Sequence, residues 1–118
     1  MSQGEIFHRD ALPSYCPPGH SATVNRRLVE ASFGGGFEMI HGRLAPGGEA
    51  ERHHHKTERQ VIYVVSGQAL IALGDQPAKP HGPGTVARIP PGIDHWVKAV
   101  GTETLELIVV YSPPLAKP

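Results

Sequence analysis

GGEAERHHHKTERQVIYVVSG, residues 47–67, decides how the rest of the chain is read. It carries His53, His54 and His55 in a row, then Gln60 at the head of an apolar run that ends at Gly67. Side chains alternate across an extended strand, so His53 and His55 share one face and His54 takes the other. Gln60 lies beyond a turn, where the next strand begins. The run Gln60–Val65 shows no polar alternation and reads as a central strand buried on both faces. Gly67 closes a hairpin at a position suited to a left-handed backbone. A second stretch, GTVARIPPGIDH at residues 84–95, is built in the same way. Its short strand enters Pro90-Pro91-Gly92, a tight turn that delivers His95. A solvated surface cluster would explain the histidine triplet but not this second block.

Outward from these blocks the chain reads as short strands cut by Gly/Pro turns. Strands are expected over Thr23–Val29, Phe37–Leu44, Glu49–His55, Gln60–Val65, Gln68–Leu73, Thr85–Ile89, His95–Val100 and Leu105–Tyr111. Ala45-Pro46-Gly47-Gly48 is expected to stop one strand before the next begins. Residues 1–21, with Pro13 and Pro17-Pro18-Gly19, read as an irregular arm, because consecutive prolines suit neither helix nor central strand. No amphipathic helix is evident. The fold class is therefore all-β, and a jelly roll is the closure that shelters so many strand edges. The expected organisation is an arm over 1–21, a β-barrel over 22–113 and a tail over 114–118.

Composition narrows the function classes. The chain has 118 residues, the size of one domain, with 11 basic and 11 acidic side chains and a net charge of +0. No basic stripe points to nucleic acid and no acidic tail points to disorder. Near-zero charge gives little electrostatic defence against self-association. Cys16 is the single cysteine, so no intramolecular disulfide forms, in keeping with a reducing cytoplasm. The first twenty residues hold no apolar run of a signal peptide, and the apolar stretch Leu107–Tyr111 is far too short to span a membrane. A cytoplasmic protein is expected.

Together, Gly47-x5-His53-x-His55-x4-Gln60-x6-Gly67 and Gly84-x5-Pro90-x-Gly92-x2-His95 resemble the two signature motifs of the cupin family. The resemblance covers residues 40–110, most of the folded part. It implies a double-stranded β-helix, the cupin jelly roll. It also implies one divalent transition metal held by His53, His55, Gln60 and His95. Small one-domain cupins commonly pair as homodimers by exchanging an N-terminal strand, here the strand Thr23–Val29. Two positions depart from the pattern. The family usually has Glu where Gln60 stands, although some members carry Gln there and still bind metal. The second motif often ends in Asn, where this chain has Ala99, a variable structural position.

Three imidazoles suit Fe, Mn, Ni, Zn or Cu rather than Mg or Ca. A Gln in place of Glu removes a negative charge and a possible general base, so the ion keeps its full charge. Four protein donors leave two adjacent positions for a small-molecule substrate. Three functions stay open. One is a lyase or isomerase acting on a small oxygen-rich carbonyl or sugar-acid-like compound, with the metal as Lewis acid. Gln-bearing cupins that act on unsaturated uronates resemble this chain in that respect. The second is a dioxygenase of a diketone or enol substrate with Fe or another redox metal. The third is a non-catalytic metal- or ligand-binding module. His41, on the strand Phe37–Leu44, and Glu58, near the ligands, are the candidate catalytic acid/base groups. Arg43 and Arg26 are candidate cations for an anionic ligand, with a surface role as the alternative for each. Tyr63 and Trp96 are expected in packing or a subunit contact. His8, His20 and His81 sit beside turn residues and are expected in solvent.

Overall fold

In the computed structural model, which describes residues 3–115, eight strands follow one another among the described residues. They are β1 His20–Val29, β2 Glu38–His53, β3 Arg59–Ser66, β4 Gln68–Leu73, β5 Lys79–His81, β6 Val86–Ile89, β7 His95–Val100 and β8 Leu105–Ser112. Two short 3-10 turns, Arg9–Ala11 and Ala31–Phe33, precede β1 and β2. Every strand pairing is antiparallel. The order across the sheet is β5-β4-β7-β2-β8-β3-β6, with β1 on β2. No helix among the described residues is long and apolar enough to cross a membrane. The all-β jelly roll read from the sequence is the fold observed.

β2 makes the roll. Its first half, Glu38–Leu44, pairs with β8, and its second half, Glu49–His53, pairs with β7. One strand thus belongs to both faces of the barrel and turns the corner between them. The corner is Ala45-Pro46-Gly47-Gly48, the segment expected to stop the strand. It bends the strand instead. Gly47 has φ 86°, and a bulge lies opposite it between Ser21 and Thr23 of β1. A Cβ on Gly48 would meet the carbonyl oxygens of Ser21 and Ala22 at 2.9 and 3.0 Å, so the two backbones approach too closely there for any side chain. β1 starts at His20, inside the stretch read as arm, and Tyr15 of that arm forms a β-bridge to Asn25. Residues 1–2 of the arm and 116–118 of the tail lie outside the described residues. The three-residue β5 escaped the sequence reading because its centre is Pro80.

The core fills the inside of the roll. Leu44, Ile62, Val64, Ala69, Ile71, Ala87, Ile89, Val97, Ala99, Leu105 and Leu107 form one buried cluster. These residues alternate along their strands, as a one-sided sheet requires. β3 corrects the expectation of burial on both faces. Gln60, Ile62 and Val64 point inward, but Val61, Tyr63 and Val65 are 37, 44 and 40% exposed. β3 is central in hydrogen bonding, between β8 and β6, yet among the described residues no second layer covers its outer face.

Candidate metal centre

The two motifs become neighbours because β2 and β7 pair at their ends. His53, the last residue of β2, is the cross-strand partner of His95, the first of β7. Directly opposed residues put their side chains on the same face. His55 falls just beyond β2, in the loop to β3, and the Gly92 amide donates to its carbonyl at 2.8 Å. The Pro90-Pro91-Gly92 turn therefore fixes the loop that carries His55 as well as the strand that carries His95. One ligand atom from each of His53, His55 and His95 lies within 4.8 Å of the others. Their ring centroids are 4.3 to 5.4 Å apart. His54 points away, with Nδ1 3.0 Å from the Asp94 carboxylate.

Backbone carbonyls orient two of the rings. A carbonyl only accepts, so His53 Nδ1–H donates to Glu51 at 2.6 Å and His95 Nδ1–H to Ile93 at 3.1 Å. That tautomer leaves each Nε2 with a lone pair, the arrangement a metal-binding imidazole needs. His55 Nε2, His95 Nε2 and Gln60 Oε1 are buried and have no hydrogen-bond partner. A buried acceptor without a partner costs roughly 1–3 kcal/mol. These three atoms, with Gln60 beside His55 and both histidines in the cluster with His53, fit a divalent ion with nitrogen ligands and an amide oxygen. Burial and the neighbouring His53 and His55 push His95 down to about 4, against the opposing Ile93 carbonyl. His55 is lowered chiefly by burial, then by His53, with Glu58 opposing. His55 and His95 are thus held neutral at physiological pH.

The two acid/base candidates fall in different places. Glu58 is half-buried on the loop between His55 and Gln60, close enough to act electrostatically on both His55 and Tyr111. His41 is buried, but on the opposite face of β2 from the inward-pointing Ile40 and Leu44. Its Nε2 bonds the Glu106 carboxylate, which also receives Arg9 at 3.2 Å and Ser66 at 3.3 Å. The arm covers this outer network, and the structure does not bring His41 to the histidine cluster. Arg43 shares that outer face and is exposed, opposite Glu106. Arg26 also turns outward, its Nε donating to the Leu12 carbonyl at 3.3 Å. Trp96 donates from Nε1 to Glu49 at 2.7 Å.

A cavity of about 580 Å³ opens over His53 and His55 and is lined by Tyr15, His20, Arg27, Glu38 and Tyr111 among others. A smaller chamber of about 50 Å³ reaches below it to Gln60 and His95. His20, expected in solvent, is a wall of both, and its Nδ1 is buried without a partner. Its pairing with Ala50 of β2 puts it there, and that pairing has no local signature. Burial, then His53, lowers its pKa. Tyr111 packs edge-on against His55, with centroids 5.2 Å apart. Burial above all, then the nearby Glu38, keeps its phenol protonated far beyond neutral pH. The alternation Leu105, Leu107, Val109, Tyr111 was the signal that would have placed this tyrosine inside.

The family model of the cupin domain matches residues 40–111. L-ectoine synthase of Bordetella petrii is 30% identical over 93 residues, which cover 78% of this chain and 68% of that protein. A polyketide cyclase from Streptomyces resistomycificus superposes with a TM-score of 0.81 at 26% identity, covering 93% of this chain and 80% of that one. A predicted oxalate decarboxylase from Thermotoga maritima superposes with a TM-score of 0.83 at 16% identity, over 92% and 99% of the two chains.

Proposed function

We propose, for a chain that belongs to the cupin family, that His53, His55 and His95 hold one divalent transition ion with Gln60 as a fourth donor. The centre acts as a lyase or isomerase on a small oxygen-rich carbonyl compound. One observation carries this reading: two imidazole nitrogens and an amide oxygen are buried without partners inside the roll that also holds His53. When bound, the ion supplies Lewis-acid polarisation of a carbonyl, with no base contributed by Gln60. The protein's own residues supply the rest. Tyr111, held protonated, donates a hydrogen bond or a proton toward the developing negative charge on the carbonyl oxygen. His20, a wall of both cavities, is the group placed to take a proton from the substrate. The relatives, a synthase and a cyclase by name, support this reading over oxygen chemistry.

Elemental analysis with an oxygen electrode tests the proposal. The purified protein is expected to hold about one transition ion per chain after reloading, and the His53→Ala/His95→Ala variant none. No oxygen is consumed with enolisable hydroxy-ketones or diketones. Oxygen uptake dependent on bound iron would replace the lyase or isomerase with a dioxygenase. A protein that takes up no ion after reloading would be a binding module, and the ligand assignment would fail with it.

A further inference from the structure

On the reading that the histidine cluster meets a substrate carbonyl, we infer that Arg27 binds a carboxylate at the other end of the same molecule. Arg27 stands on β1 in the inward register of Thr23 and Asn25, both buried, and it lines the cavity that His53 and His55 line. Its guanidinium is held before any ligand arrives. The central carbon lies 4.3 Å from the centroid of the Tyr15 ring, a stacking and cation–π contact. Its Nε is 3.5 Å from Oε2 of Glu38. Tyr15 is fixed in turn by two backbone hydrogen bonds with Asn25, at 2.9 and 2.8 Å.

Glu38 orients the arginine that meets the anion. This carboxylate is 5% exposed, and both its oxygens are engaged: Oε1 accepts from the Leu115 amide at 3.0 Å and Oε2 faces Arg27. It therefore serves to aim the arginine and offers little to a substrate amine. Glu30, the other acid of the lining, is exposed and lies 3.4 Å from the Ser32 hydroxyl. Among the described residues no hydrogen bond reaches either Nη of Arg27. The two Nη groups form the fork that pairs with a carboxylate through two parallel N–H···O bonds. Stacking on Tyr15 removes much of the rotamer entropy that such a bond otherwise costs. A cavity of about 580 Å³ accommodates a small molecule with a carbonyl at the histidines and a carboxylate at Arg27. The substrate class is a short keto- or hydroxy-acid, not a neutral sugar or ketone.

The test uses 4-oxopentanoate and its methyl ester as probes, titrated by calorimetry into the full chain, both zinc-loaded and metal-free. The acid is expected to bind wild-type protein about tenfold or more tightly than the ester, the scale of a charged hydrogen-bonded pair. Arg27→Gln brings the ratio of the two affinities close to one and leaves zinc content unchanged. Arg27→Lys keeps part of the preference, because it keeps the charge and loses the fork. Tyr15→Leu, which leaves both charges in place, lowers the preference by removing the stack. Equal binding of acid and ester, or a preference that survives Arg27→Gln, overturns the inference; so does the absence of measurable binding by either probe at millimolar concentration. A protein that binds no zinc yet prefers the acid through Arg27 sinks the metal proposal and keeps the carboxylate site.

Discussion

Gln60 is the residue on which the chemistry turns. The resemblance to the cupin motif implies Glu at this position as the usual residue. Only the structure shows that Gln60 is 5% exposed and that its Oε1 has no partner. The histidine trio was legible because strand alternation and a Pro-Pro-Gly turn are local signals. Arg27, His20 and the arm residue Tyr15 were not, because they reach the cavity through the pairing of β1 with β2 and of the arm with β1. A substitution at Gln60 separates the two demands on this position. Gln60→Glu puts a carboxylate among buried atoms, which is costly without an ion and favourable with one. The metal-free variant is therefore expected to melt below the metal-free wild type, and the metal-induced rise in Tm is expected to widen. About 1 kcal/mol moves Tm by roughly 4 °C in a domain of this size, so differential scanning calorimetry with and without zinc resolves the change. Superimposable curves for the two proteins in both conditions would remove Gln60 from the centre.

At the scale of an element, β2 shows why a correct fold can be read with wrong boundaries. Pro46-Gly47-Gly48 is a stop signal by composition, but paired strands on both sides keep the chain extended through the bend. The same strand explains His41. Alternation puts Met39, His41 and Arg43 on one face and Ile40 and Leu44 on the other, yet both faces of this stretch are buried in part. Which side faced the histidine cluster was undecidable without the partner strands. On the outer side, His41, Arg9 and Ser66 bond Glu106, and exposed Arg43 faces it across the ladder. The His41 hydrogen bond leads in lowering the Glu106 pKa below its ordinary 4.5, with Ser66 and Arg9 adding. A carboxylate depressed in the folded state stabilises above its unfolded pKa and loses that contribution as pH falls through its folded value. Wild-type Tm is therefore expected to fall as pH drops below 4.5, and Glu106→Gln to flatten that limb while lowering stability at pH 7 by at most about 1 kcal/mol. Melting curves from pH 7 to pH 3 check it; parallel profiles for the two proteins would mean that the network carries no net stability.

For the whole molecule, the outer face of the sheet is the part left unfinished by a single chain. Val61, Tyr63 and Val65 of β3 and Val86 of β6 are 37, 44, 40 and 56% exposed, and Tyr63 and Val86 sit directly opposite each other. Ile108 and Val110 of β8 extend the same face, as the cross-strand partners of Tyr63 and Val61. The sequence reading took the apolarity of β3 as burial within the roll, since composition cannot tell a covered face from one that awaits a cover. Contiguous apolar surface of this kind marks an interaction site. The net charge of +0 offers no repulsion between copies. Thr23–Val29, the strand expected to exchange between subunits, pairs with β2, and the exposed β3–β6 face offers a separate apolar surface for a contact between copies. A homodimer is expected in sedimentation velocity at tens of micromolar. Tyr63→Lys with Val86→Lys is expected to return it to a monomer, because like charges placed opposite each other on one face meet their copies across a twofold contact. Both side chains lie outside the roll, so metal content per chain should stay unchanged. A wild-type monomer at that concentration would mean that the face serves another partner, and a dimer that survives both lysines would place the contact elsewhere on the barrel.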